Sequence, residues 1–358
     1  MFLLYSFIYV YIMGKILVKT DNGWNDFCTS EDILTDSFVK KFSLIEEAES
    51  IIIHGFEIIG SRAFINHKKL KEVFISGETS IISTRAFQDC RLLNTIEFPE
   101  SITHIGDNVF RGCISLANIT FPKNIKIINP AAFQDSGLTK VDLSDCEEIT
   151  SINDYVFRNC LSLKEVILPQ KIKTIGVSAF ENCYALKKID LSNTNVFRIE
   201  RGAFERCFLL KELKFPKCLK WIGKDAFLSS GLNKVDLPDN IQIIEEGTFQ
   251  GCTELSSIYF PKSLNVIKRF AFSYTKSLIN LGNLISLTQL ERIENGAFKN
   301  SGLKGTVSIP YWTKSVGDEA FYDCIELNEI NLLNPSTTIV HKNSSQQKTT
   351  VCRHKIRP

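Results

Sequence analysis

The sequence predicts an α/β solenoid, a stack of similar coils that each add one strand to a parallel sheet. A small residue followed by phenylalanine recurs at Phe64, Phe87, Phe110, Phe133, Phe157, Phe180, Phe204, Phe227, Phe249, Phe272, Phe298 and Phe321, with gaps of 22 to 26 that are mostly 23. A fixed period of this length marks units that bury their apolar faces against their neighbours. The segment after each phenylalanine reads Leu-x-x-Ile-x-Phe, alternating apolar and polar at the period of a half-buried strand. Proline then follows at Pro99, Pro122, Pro169, Pro216, Pro238 and Pro261. Lacking an N–H, it ends the strand and reverses the chain.

The unit is clearest from Ile102 to Pro122, where Ile102, Ile105, Gly106, Val109, Phe110, Cys113, Leu116, Ile119 and Phe121 hold the patterned positions, and it returns from Ile172 with Ser192 in place of the proline. Ile-x-x-Ile is expected to form a second, shorter extended segment. Ala-Phe-x-x-Cys is expected to close the coil as a compact turn or a single helical turn. The phenylalanines should stack as a buried spine, with the preceding small residue leaving room for the neighbouring backbone. In three repeats Ser136-Gly137, Ser230-Gly231 and Ser301-Gly302 shorten the turn by one residue, and the glycines are expected to take a positive φ. The stretch after Phe272 is longer and carries Leu281, Leu284, Leu287 and Leu290 at intervals of three. A local bulge or kink is expected there.

These columns resemble the treponemal-type leucine-rich repeats of BspA-like proteins, whose unit also reads Ile-x-x-Ile-Gly-x-x-Ala-Phe-x-x-Cys-x-x-Leu-x-x-Ile-x-Leu-Pro. The match runs from Ile51 to Leu332. The resemblance implies a leucine-rich-repeat solenoid, a curved right-handed superhelix with parallel strands on the concave face and short strands and turns on the convex side. It implies no catalysis. Members of the family occur as surface proteins of mucosal bacteria and protozoa that attach to matrix proteins, host cells or other microbes.

Along the chain, residues 1–43 read as an N-terminal flank or cap, 44–333 as the solenoid and 334–358 as a polar basic tail expected to be disordered. Hydrophobic residues make up 44% of 358, enough for a continuous core. A formal charge of +2 argues against a nucleic-acid partner. Residues 2–13 are apolar apart from Ser6, too short to span a membrane as a helix. They admit three readings: a secretory or anchoring segment, a misassigned start upstream of Met13, or a buried cap strand. Membrane association stays open on these grounds. The pattern stops at Leu332, before any further Ile-x-x-Ile, which leaves an open strand edge and the expectation of end-to-end homodimerisation.

Seven cysteines, Cys90, Cys113, Cys160, Cys183, Cys207, Cys252 and Cys324, share the column three residues after phenylalanine, and His67 takes that place in the first full repeat. Small buried hydrophobes, rather than disulfides or zinc ligands, account for them. No nucleophile elbow, phosphate loop, dinucleotide fingerprint or H-E-x-x-H is present in the sequence. The chain is therefore expected to be neither an enzyme nor a cofactor protein. Asn118-Ile119-Thr120 and Asn343-Ser344-Ser345 are formal glycosylation sequons, the first placed within a strand.

Recognition is expected on the outward residues of the concave strands. One column runs Lys140, Glu165, Lys188, Glu212, Lys234 and the other Asp142, Ile167, Asp190, Lys214, Asp236. Alternating signs should pair along the ladder and leave Phe74, Ile167 and Tyr259 as apolar exceptions. Phe74, Ile167, Tyr259, Lys188, Glu212 and Lys214 are the candidate contacts for a protein ligand, such as an extracellular-matrix or host-cell surface protein. Two roles remain: a cell-surface or secreted adhesin, and an intracellular cytoplasmic interaction scaffold.

Overall fold

The computed structural model describes residues 14–339 and 350–353; the apolar segment 2–13 and Asn343 lie outside it. The chain begins with a hairpin, β1 (Gly14–Thr20) and β2 (Gly23–Thr29), followed by β3 (Ile33–Leu34) and two short helices, α1 (Asp36–Lys40) and α2 (Ser43–Glu46). Thr35 caps α1, its hydroxyl accepting the Phe38 N–H at 3.2 Å. β1 lies antiparallel to the first repeat strand, β4 (Ser50–His54), and β3 opens the second ladder by pairing in parallel with β5 (Ile58–Ile59). Beyond β4 every strand pairing is parallel. Strands dominate this α/β solenoid, because the repeat is too short to fit a helix into each coil.

The repeats carry a phenylalanine arch and a two-residue strand, and most add a concave strand; both kinds of strand pair in parallel ladders. The arch is not a helical turn. The residues two before and two after each phenylalanine take a positive φ, as at Arg62 (62°) and Asn66 (59°), Tyr155 (60°) and Asn159 (59°). This turns alternate N–H groups along the solenoid axis. Arg62, Phe64 and Asn66 donate to the carbonyls of Thr84, Ala86 and Gln88 in the next coil at 3.0, 2.7 and 2.8 Å, and the same triplet recurs down the stack. The concave strands donate the other way, Lys71 N–H reaching back to the Glu49 carbonyl at 2.7 Å. A third inter-coil ladder thus satisfies backbone that would otherwise be buried without partners. Its sequence signal is the column two residues after phenylalanine, where Asn, Asp and Gly predominate. These residues tolerate left-handed backbone at least cost.

Inside the arches the phenylalanines stack face to face, consecutive centroids 5.2 to 5.8 Å apart from Phe64 to Phe321. Phe121, Phe215 and Phe260 pack edge-on against Phe133, Phe227 and Phe272. The column cysteines are free and buried. Each thiol donates to the phenylalanine carbonyl one coil back, as Cys183 to Phe157 at 3.1 Å and Cys207 to Phe180 at 3.2 Å. Burial pushes the thiols of Cys90, Cys160 and Cys252 up to about 12.

Several expectations are corrected. The concave sheet is broken rather than continuous: it ends at Thr95–Glu97, restarts at Lys140–Asp142, stops at Lys188–Ile189, and resumes at Lys234–Asp236 and at Gly305–Ile309. Every restart lies in a coil with the short Ser-Gly-Leu turn. There the entering strand keeps a bond such as Thr139 N–H to the Ala117 carbonyl at 2.9 Å, or Asn233 N–H to Lys211 at 3.0 Å, but the ladder does not propagate. Asn118 accordingly lies outside any strand and is exposed. Gly137, Gly231 and Gly302 are not among the positive-φ residues. Their role is close approach, since a Cβ at each would sit 2.2, 2.0 and 2.0 Å from the carbonyl oxygens of Ile114, Phe208 and Lys276.

The long repeat absorbs its extra residues in a 3₁₀ turn, Leu284–Ser286, with Leu281, Leu284, Leu287 and Leu290 all buried. The Asn283 side chain there bonds both the N–H and the carbonyl of Phe260, at 3.0 and 2.8 Å. The array does not stop at Leu332. Thr338–Ile339 extends the second ladder beside Ser315–Val316, and Thr350–Arg353 pairs in parallel with Leu327–Leu332. The segment read as a disordered tail therefore holds two strands, the second covering the edge expected to be open. Backbone pairing, which needs no side-chain pattern, places them where the repeat has lost its signature.

Candidate concave recognition face

The outward concave residues fall into register across the ladder. Glu165 stands opposite both Lys140 and Lys188, and accepts from Lys188 Nζ at 2.6 Å while Lys140 Nζ lies 3.8 Å away. The hydrogen bond from Lys188 holds the Glu165 carboxyl below its usual range, and the same bond raises the Lys188 ammonium. Lys140 also meets Asp142 at 3.3 Å, and Lys234 meets Asp236 at 2.9 Å. Burial favours the neutral form of Asp190, but hydrogen bonds from Ser192 and the nearby Lys214 outweigh it and lower the carboxyl. Glu212 and Lys214 are exposed in a segment outside the ladder. Exposed pairs of this kind contribute about 0–1 kcal/mol each, so they keep the face soluble more than they hold the coil.

The structure separates the apolar candidates. Phe74 is half-buried opposite Ile52 and Glu97, Ile167 is half-buried opposite Asp142, and Tyr259 is exposed opposite Asp236. With strands about 4.8 Å apart, Phe74 and Ile167 lie roughly 20 Å from one another, as do Ile167 and Tyr259. They do not form one pocket. Ile167 and Lys188 do come together, sharing with Asp190, Gln170 and Asn193 a hollow of about 390 Å³ where the strand turns into the convex side. His67 serves packing: its Nε2 reaches the Ile45 carbonyl at 2.6 Å and its Nδ1 accepts the Leu70 N–H at 3.1 Å. Burial lowers its pKa from 6.5. Among the described residues no group of His, Cys, Asp or Glu gathers as a metal site, and no helix is long and apolar enough to cross a membrane.

Stacked coils with parallel ladders, an aromatic spine and a strand-lined concave face define a leucine-rich-repeat solenoid. The profile of the BspA-type leucine-rich-repeat region matches residues 36–150, 80–207, 133–230, 186–303 and 277–351, and the chain belongs to this family. A leucine-rich-repeat protein of Bacteroides ovatus is 23% identical, over 86% of this chain and 95% of its own, with a TM-score of 0.59. A leucine-rich cell-surface protein of Faecalibacterium prausnitzii is 24% identical over 78% and 84% of the two chains, with a TM-score of 0.40. The pneumococcal vaccine antigen PcpA is 19% identical over 86% and 80%, with a TM-score of 0.45. Only the first of these supports the fold by its similarity. No curated protein matches the chain.

Proposed function

We propose that the chain is a non-catalytic, protein-binding solenoid acting in adhesion at the cell surface or after secretion. The observation that carries this reading is the concave face itself: a long, self-neutralised polar surface with half-exposed apolar residues set roughly 20 Å apart. Such spacing suits an extended protein ligand that touches several coils, not a small molecule held in one pocket. Phe74 and Tyr259 would be the anchors, with Ile167, Lys188, Glu212 and Lys214 filling the middle. Family membership supports a binding role, and the attachment of BspA-like proteins to matrix or host cells supplies the ligand class.

Binding of the full chain to immobilised extracellular-matrix protein and to intact host cells is the direct test. Phe74→Ala and Tyr259→Ala should each weaken capture about tenfold. Unchanged capture by both variants removes the concave anchors. Protease treatment of intact producing cells addresses location: digestion of the protein supports the surface reading, and full protection sinks it. Protection would favour the interaction scaffold inside the cell, a reading supported by eleven free cysteines, eight of them buried.

A further inference from the structure

In the coils that lack the short Ser-Gly-Leu turn, the corner where the arch passes toward the concave face points the fourth residue after phenylalanine into solvent. In three consecutive coils this residue is Leu161, Tyr184 and Phe208, with Leu209 beside the last, exposed by 53, 37, 45 and 41%. The rings of Tyr184 and Phe208 are 5.0 Å apart. Both ends of this apolar ridge are cut off. The coil before it has Gly137 at the corner and the coil after it Gly231, where backbone crowding excludes a side chain. Along the concave flank stand Lys164 and Lys187, both exposed and without an ion pair among the described residues. Lys211, next in that column, reaches across the Gly231 step to Glu254.

We propose that this ridge docks one amphipathic, acidic helix of a partner protein, lying along the solenoid axis. Spacing favours a helix over a strand. The ridge repeats once per coil, and the coils beneath it are set by phenylalanine centroids 5.5 and 5.3 Å apart. A helix advances about 5.4 Å per turn, so apolar residues at i, i+4 and i+7 fall in step with Leu161, Tyr184 and Phe208. Same-face residues of a strand repeat at about 6.7 Å and lose step within the three coils.

The two glycine steps limit the contact to about three turns, or ~11 residues. Charge selects an acidic helix, because Asp or Glu beside the apolar stripe meets the unpaired Lys164 and Lys187. A lipid surface is less well matched. It would also cover the arch flank, where Glu181 and Glu205 are paired with Arg158 and Arg206 and leave no net positive charge to attract anionic headgroups, whereas a helix ~10 Å wide needs only the lysine flank. The site is separate from the concave anchors and does not depend on them.

The test uses the full chain against a displayed library of helical peptides of about 14 residues. Selection should enrich peptides with apolar residues at i, i+4 and i+7 flanked by Asp or Glu. The double variant Tyr184→Ser/Phe208→Ser should bind the selected peptides at least about tenfold more weakly, with an unchanged melting midpoint, while Phe74→Ala leaves that affinity alone. Lys164→Glu/Lys187→Glu should shift selection toward Lys- and Arg-bearing helices. The proposal is overturned by an empty selection, by enrichment of alternating extended sequences, or by peptides indifferent to the double variant. It is equally overturned if phosphatidylserine–phosphatidylcholine vesicles bind through Tyr184 and Phe208 and peptides do not.

Discussion

Phe180 shows what one residue contributes to the stack. It is fully buried and sandwiched between Phe157 and Phe204 at 5.5 and 5.3 Å. Truncation removes its transfer energy and both stacking contacts, and the coils on either side are held apart by their own backbones. Phe180→Ala should therefore cost about 3–5 kcal/mol, measured as a lowered denaturation midpoint. Gly231 works by the opposite means, through the absence of an atom. A Cβ there would lie 2.0 Å from the Phe208 carbonyl oxygen, a backbone atom tied into its own turn. Gly231→Ala should destabilise by about 1–3 kcal/mol, and a neutral result would mean that the corner can relax.

The arch explains at the level of an element why the cysteine column is tolerated. Every thiol in it is buried against a carbonyl of the preceding coil, and burial keeps it protonated. In the short coils Ser136, Ser230 and Ser301 stand in for it, within 3.3, 3.3 and 3.2 Å of the sulfurs of Cys160, Cys252 and Cys324. In native protein at mildly alkaline pH an alkylating reagent should label the exposed Cys28 and Cys218 and spare the column, whose members become reactive on unfolding. Rapid native labelling of Cys183 would show that the arch opens.

The cap joins the first coil through His67, whose folded-state pKa is pushed below 6.5 by burial. Its contribution is complete above that value, where folded and unfolded chains are both neutral. It is lost as the pH falls through the lower folded-state pKa, because the unfolded chain takes up the proton first. Acidification below 6.5 should loosen α2 and the first arch, read by hydrogen exchange, and His67→Gln should flatten that dependence.

Across the whole molecule the three breaks divide the concave face into blocks, while the phenylalanine spine runs through all of them. Amides of Asn118–Thr120 and Glu212–Lys214, left out of the ladder, should exchange faster than those of Glu165–Ile167. Uniform protection along the face would remove the distinction between blocks. Much of this fold was legible in the sequence because one residue column repeats in every coil: phenylalanine reported the stack, proline the strand ends, and period two the outward position of Phe74, Ile167 and Tyr259. The corner ridge was not legible in the same way. Its column holds Lys68, Arg91 and Thr253 as well as Leu161, Tyr184 and Phe208, so it has no consensus to notice. The two strands beyond Leu333 were hidden for a related reason, since pairing there rests on backbone.

By itself the sequence determined the period, the buried columns and hence the solenoid, because burial every coil constrains residue type at fixed positions. Only the tertiary structure decided how the coils meet: the third ladder in the arch, the close approaches that require Gly137, Gly231 and Gly302, the breaks in the concave sheet and the isolation of three apolar corners. Those features depend on distances between atoms of adjacent coils, and a distance between coils leaves no mark on a residue unless a side chain must yield to it. At Gly137, Gly231 and Gly302 one does yield, and they stood out in the sequence for a different physical reason, while the arch left its own mark in the Asn, Asp and Gly column two residues after phenylalanine.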